Sequence, residues 1–143
     1  MLVSQILKEK GREVLSISPE ATLQEAAVVI TRHRIGALIV RGVGGKLSGI
    51  ISERDIVRAL SESGAAALAF PVRARMTADV AVCEENDTIA EIMETMTRCR
   101  FRHMPVVQHD QVTGIISIGD VVKLRIDETL REAQALKEYI ATA

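Results

Sequence analysis

Apolar and polar positions along this chain follow two rhythms that each occur twice. From Thr22 a helical rhythm begins, with Leu23, Ala26, Ala27 and Ile30 at spacings of three and four behind a Thr22-x-x-Glu25 capping-box pattern. Two β-branched runs follow, Ala37 to Val40 and Leu47 to Ile51, and Gly42-Val43-Gly44-Gly45 between them reads as a hairpin. A second helix is expected from near Glu53. The series then restarts: Thr88 and Glu91 head a helix with Ile89, Ile92, Met93 and Met96 on one face. Strands at Met104 to Val107 and Val112 to Ile116 are joined through His109-Asp110-Gln111, and a further helix starts near Ile118.

The restart is a tandem repeat in residues as well as in rhythm. Val14-Leu15-Ser16-Ile17 answers to Val80-Ala81-Val82-Cys83, and Thr31-Arg32-x-Arg34 to Thr97-Arg98-x-Arg100. Gly49-Ile50-Ile51-Ser52-x-x-Asp55 answers to Gly114-Ile115-Ile116-Ser117-x-x-Asp120. Each half thus predicts strand, helix, strand, strand, helix, a mixed α/β (α+β) fold. A half of that size buries too little core to stand alone, so the two are expected to pack about a pseudo-twofold axis. The boundaries predicted are residues 1–65 for the first repeat with the N-terminal segment, 66–79 for an Ala-rich, Pro71-interrupted connector, and 80–143 for the second repeat with a C-terminal helix. That helix is expected from about Asp120 to Ile140, roughly 30 Å. Ile126, Leu130, Ala133, Leu136 and Ile140 give it an outer apolar stripe with two open destinations, its own chain or a second copy.

Composition narrows the function classes. With 48% apolar and 26% charged residues a folded body is expected, and with 2% aromatics its core must be aliphatic. A net charge of −1 provides no global field for nucleic acid or an anionic membrane. No apolar run approaches a membrane span and no secretion signal is visible, which predicts a cytoplasmic protein with Cys83 and Cys99 reduced. No nucleophile, base and orienting group recur in a recognisable set, and His33, His103 and His109 lack metal-ligand spacing. Neither an enzyme, a catalytic cofactor nor a metal site is expected.

The repeated Ser-x-x-Asp carries the candidate chemistry. A serine at a strand end before a helix places its hydroxyl and the first free N–H groups toward an anion. The aspartate one turn on can accept hydrogen bonds from two vicinal ribose hydroxyls. The same spacing is also a plain helix cap.

These paired motifs, with Ile35-Gly36-Ala37-Leu38-Ile39-Val40 in one half and Phe101-Arg102-His103-Met104-Pro105-Val106-Val107 in the other, resemble the CBS-domain family, as does Met76-Thr77 before the second copy. The resemblance covers nearly the whole chain. It implies a regulatory module that binds AMP, ADP, ATP, NAD or S-adenosylmethionine and signals to a regulated protein not identifiable from sequence. A homodimer is also implied; a ligand-independent dimeric scaffold is the alternative. Carried over residue by residue, one cleft would use Ser117, Asp120, Ile115, Gly119 and Arg102 with Ala21, Ala26, Ile35 and Gly36. The other would use Ser52, Asp55, Arg54 and Ile50 with Asp87, Ile92, Phe101 and Arg102, and His103, Met104 and Pro105 complete the expected ligand-binding set. Arg34, Arg54, Arg100 and Arg102 are the phosphate candidates, because guanidinium forks match phosphate oxygens. Arg102 stands where the first half has Gly36, so the clefts are expected to be chemically unequal.

Overall fold

A computed structural model describes residues 1–142 of the chain. The elements are α1 (Val3–Lys10), β1 (Ser16–Ile17), α2 (Leu23–His33), β2 (Ala37–Arg41), β3 (Leu47–Ser52), α3 (Glu53–Ser63), α4 (Ile89–Cys99), β4 (His103–Gln108), β5 (Gln111–Ser117) and α5 (Ile118–Thr142). They form two compact units. Residues Val14–Ala81 make one, while Met1–Glu13 and the chain from Val82 onward make the other.

In the unit built on the first repeat, β1 runs parallel to β2 and β2 antiparallel to β3. Thr22 caps α2 as its sequence predicts, its Oγ1 accepting from the Glu25 N–H at 3.1 Å and Glu25 Oε2 accepting from the Thr22 N–H at 2.9 Å. Leu23, Ala26 and Ile30 on the inner face of α2 pack with Leu38, Val40, Ile51 and Ile56 into an aliphatic core. The connector is short 3-10 structure at Gly64–Ala69 and Val72–Ala74, and it pairs back onto this repeat through Thr22 and Pro71 and through Ile50 and Thr77.

In the other unit β4 and β5 repeat the hairpin, and the irregularity between Val40 and Arg41 recurs between Val106 and Val107. His109 and Asp110, at φ 50° and 61°, make a tight two-residue turn of the I′ kind. The first hairpin is longer and relies on Gly44 and Gly45, both at φ 75°. The strand predicted at Val80 to Cys83 is not formed as such. It shrinks to one parallel bridge, Cys83 to Val106, because the chain leaves the sheet at once into a turn in which Asp87 Oδ2 accepts from the Glu84 N–H.

The N-terminal segment, predicted to go with the first repeat, folds against the second. Val3, Ile6 and Leu7 join the core of Ile89, Ile92, Met96, Met104, Val106 and Ile116. Its contacts reproduce those of the connector on the first repeat. The Ile89 N–H donates to the Met1 carbonyl as the Leu23 N–H does to Phe70, and the Val3 N–H donates to Asp87 as the Val72 N–H does to Ala21. Each repeat is therefore completed by a segment that precedes the other in sequence. Two glycines mark the seams. A Cβ on Gly49 would lie 2.5 Å from the Thr77 carbonyl oxygen, and one on Gly114 would lie 2.6 Å from Leu7 Cδ2.

The C-terminal helix begins and ends close to its predicted bounds. Val121 and Leu124 are buried, but every described residue from Thr129 to Thr142 is exposed. Its apolar stripe is therefore left uncovered by the described residues of the unit to which the helix belongs.

Candidate functional site

The two Ser-x-x-Asp motifs fold into helix starts of the same geometry. Ser52 ends β3 and caps α3: its Oγ accepts from the Asp55 N–H at 3.2 Å, and Asp55 Oδ2 accepts from the Ser52 N–H at 2.9 Å and the Ser52 hydroxyl at 3.0 Å. Ser117 and Asp120 repeat these contacts at 3.2, 2.8 and 2.9 Å. The Glu53 N–H donates to the Gly36 carbonyl at 3.0 Å, and the Ile118 N–H to the Arg102 carbonyl at 2.8 Å. Gly36 and Arg102 are thus equivalent in structure as in sequence.

Three of the four N–H groups that a helix start leaves without intrahelical acceptors are taken in this way. The fourth belongs to Arg54 in one start and Gly119 in the other. The serine hydroxyl, expected to face an anion, instead donates to its own aspartate, because a carboxylate three residues on is the nearer and charged acceptor. The aspartate keeps a free edge. Both cap contacts fall on Oδ2, and Oδ1 accepts no hydrogen bond from the described residues. Capping the helix and accepting a hydroxyl are therefore compatible in one carboxylate.

The two starts differ in what covers them. In the first repeat the Ile50 carbonyl accepts from the Thr77 N–H at 2.9 Å. At the equivalent Ile115 the acceptor is met by Lys10 Nζ at 3.0 Å, and the same ammonium lies 2.7 Å from Asp120 Oδ2. Burial acts to raise the Asp120 pKa. The hydrogen bond and charge of Lys10, with the Ser117 N–H and hydroxyl, outweigh that and hold it below the ordinary carboxylate value. Beside this pair a groove of about 240 Å3 is lined by Ile6, Glu9, Lys10, Asp120, Lys123 and Asp127.

A carboxylate with a lowered folded pKa contributes stability that is present above its unfolded pKa and is lost as pH falls through the folded value. Lys10→Met should therefore move the Asp120 titration midpoint up and shift the acid loss of stability toward higher pH. NMR titration of the Asp120 carboxyl checks this; an unmoved midpoint rules out Lys10 as the cause.

The remaining predicted residues divide by surroundings. Ile50 is buried on β3 two residues before Ser52, while Ile35 and Ala21 are half-buried at the margin of the first unit's core. Ala26 and Ile92, expected to line an adenine slot, are enclosed in the cores of their own repeats, because each falls on the inner face of its helix. Asp87 is bound into the turn before α4, and Phe101 is half-buried against the second core. His103 stands opposite Ser117 in the β4–β5 register, and Met104 and Pro105 follow it, buried. Arg34 and Arg100 occupy left-handed positions that end α2 and α4, at φ 52° and 57°. They, Arg54 and Arg102 are all exposed. Lys10 is the residue that sequence reasoning missed. Its signal is faint: Leu2-Val3 matches Pro71-Val72 of the connector, which places the start of the chain where the connector stands for the other repeat.

Burial, with the nearby Asp87 carboxylate, pushes the Cys83 thiol up to about 12, so it stays a protonated core side chain. Among the described residues no cluster of His, Cys, Asp and Glu is placed to hold a metal ion, and no helix is long and apolar enough to cross a membrane.

Comparison with known proteins agrees with this architecture at every level. The CBS domain family matches residues 3–62 and 72–127. The chain is 33% identical to the CBS domain-containing protein CBSX3, mitochondrial, of Arabidopsis thaliana, over 96% of this chain and 71% of that protein. Among solved structures, the CBS-domain containing protein ATU1752 from Agrobacterium tumefaciens shares 44% identity with a TM-score of 0.85, covering 87% of this chain and 92% of the other. The CBS domain pair of protein MJ0100, solved in complex with 5'-methylthioadenosine and S-adenosyl-L-methionine, is 26% identical with a TM-score of 0.79 over 90% and 98% of the two chains. The matched segments begin at Val3 and Val72, the two residues that hold equivalent places in the exchanged segments, and the chain belongs to the CBS-domain family as a tandem pair.

Proposed function

We propose that this chain is a regulatory module that binds adenosyl ligands such as AMP, ADP, ATP, NAD or S-adenosylmethionine, without turning them over, and passes their level to a partner protein as a cytoplasmic homodimer. The observation that carries the reading is the duplicated helix start, in which the cap fixes Oδ2 and leaves Oδ1 and one N–H available. Oδ1 of Asp55 and Asp120 accepts ribose hydroxyls, and the Arg54 and Gly119 N–H groups, with Arg34, Arg54, Arg100 and Arg102, face the phosphates. The adenosyl ligands in the MJ0100 pair support the ligand class. Ala21, Ile35, Gly36, Ile50, Ile115 and Phe101 contribute the apolar surface for the base.

Calorimetric titration tests this. Adenine nucleotides should bind and be recovered unchanged, and GMP should bind more weakly than AMP, because the exchanged donor and acceptor on its base would leave buried groups unpaired. Equal affinity for GMP and AMP would overturn the account of base recognition. An absence of heat with every adenosyl ligand would leave only the scaffold.

A further inference from the structure

The strongest feature outside the helix starts is the free end of α5. Ile126, Leu130, Leu136 and Ile140 are 53, 62, 59 and 65% exposed, although they lie on one helix. From Thr129 to Thr142 none of the described residues of its own unit covers that helix, a length of about 21 Å. An isolated helix of this length is marginal in water, and most helical stability comes from packing an apolar face.

The spacing identifies what packs there. Ile126, Thr129, Ala133, Leu136 and Ile140 follow alternating steps of three and four, the a and d positions of a two-stranded coil, and Val122 precedes them in the same register. With Ile126 at a, Glu132 falls at g and Lys137 at e. In a parallel pair, g of one helix meets the following e of the other, so Glu132 faces Lys137 of a second copy, and by symmetry the ion pair forms twice. In the same pairing Arg125 at g would meet Leu130 at e of the second copy and could lay its stem over it. In an antiparallel pair g meets g and e meets e, which sets Glu132 beside Tyr139 and Lys137 beside Leu130 with no ion pair. The charges thus select one orientation.

We infer that α5 joins two copies of this chain as a parallel, in-register two-stranded coil from Ile126 to Ile140. The inference rests on the homodimer reading above, names its surface and is independent of ligand binding. The test uses the full chain with Cys99→Ser, which removes the exposed thiol and leaves the buried Cys83. Ile140→Cys in that background should give a disulfide-linked dimer under mild oxidation, because equal a positions meet in a parallel coil, whereas antiparallel pairing puts the two thiols at opposite ends. Glu132→Lys should raise the dimer dissociation constant roughly fivefold or more by turning two ion pairs into two repulsions. Adding Lys137→Glu should restore it, with sedimentation as the readout. A monomer at tens of micromolar would defeat both the homodimer and the coil. A dimer in which Ile140→Cys fails to cross-link, or in which the charge reversal has no effect, would defeat the coil and leave the homodimer standing.

Discussion

Leu7→Ala should destabilise the second repeat by about 2–5 kcal/mol, although Leu7 lies outside that repeat in sequence. The side chain is fully buried among Ile89, Met96, Met104 and Val106, and its removal leaves a cavity that the aliphatic wall fills only in part. A domain of this size carries about 5–15 kcal/mol in total, so the loss should be plain in urea denaturation. Gly114 supplies the control. A Cβ there would stand 2.6 Å from Leu7 Cδ2, so Gly114→Ala alone should cost about 1–3 kcal/mol by overpacking. The combined variant should lose less than the sum, because the alanine methyl occupies space that Leu7 vacates. Were α1 a loose tail, Leu7→Ala would fall within the roughly 0.5 kcal/mol of an ordinary surface change. Additive losses in the pair would instead disprove the contact between these two residues.

How much of this was legible in the sequence follows from the range of each interaction. Capping boxes at Thr22, Ser52, Thr88 and Ser117 span three residues, and each forms where its pattern stands. The inner faces of α2 and α4 were readable for the same reason: helical spacing is local. That spacing also says that Ala26 and Ile92 face inward, but not whether inward means a core or a ligand slot. In the structure both are buried members of the cores of their repeats. The exchanged segments lay beyond local reach. Within Met1 to Lys10 only the short Leu2-Val3 match to Pro71-Val72 bears on which repeat it completes, and the association itself is made by Leu7 against Gly114 and by Lys10 against Asp120 at a separation of 110. The strand expected at Val80 to Cys83 failed for a related reason. Its β-branched residues are permissive, yet only Cys83 finds a partner before the Asp87 turn draws the chain away.

The largest expected effect on function belongs to Asp55 and Asp120, whose two roles separate under substitution. Each carboxylate closes a capping box, so alanine at either position should cost about 1 kcal/mol of stability. If Oδ1 also receives the ribose, each alanine removes charged hydrogen bonds worth roughly 1.5–3 kcal/mol apiece, and affinity at that site should drop about tenfold or more. Binding should therefore suffer more than folding. Because the helix starts are duplicated, Asp55→Ala and Asp120→Ala should each abolish one set of sites, and the double variant should bind nothing while keeping a cooperative melt. The starts are not equal, however. Lys10 lies on Asp120 Oδ2, while among the described residues the Asp55 carboxylate is hydrogen-bonded only within its own cap, so Asp120→Ala also strands an ammonium left with the Ile115 carbonyl. Its melting temperature should fall further than that of Asp55→Ala, and Lys10→Met in the same background should recover part of the difference. Adenine nucleotide calorimetry of the three aspartate variants, with thermal melts alongside, reads all of this. Variants that melt earlier yet bind as the parent does would show that the two aspartates are caps and that the ligand is held elsewhere.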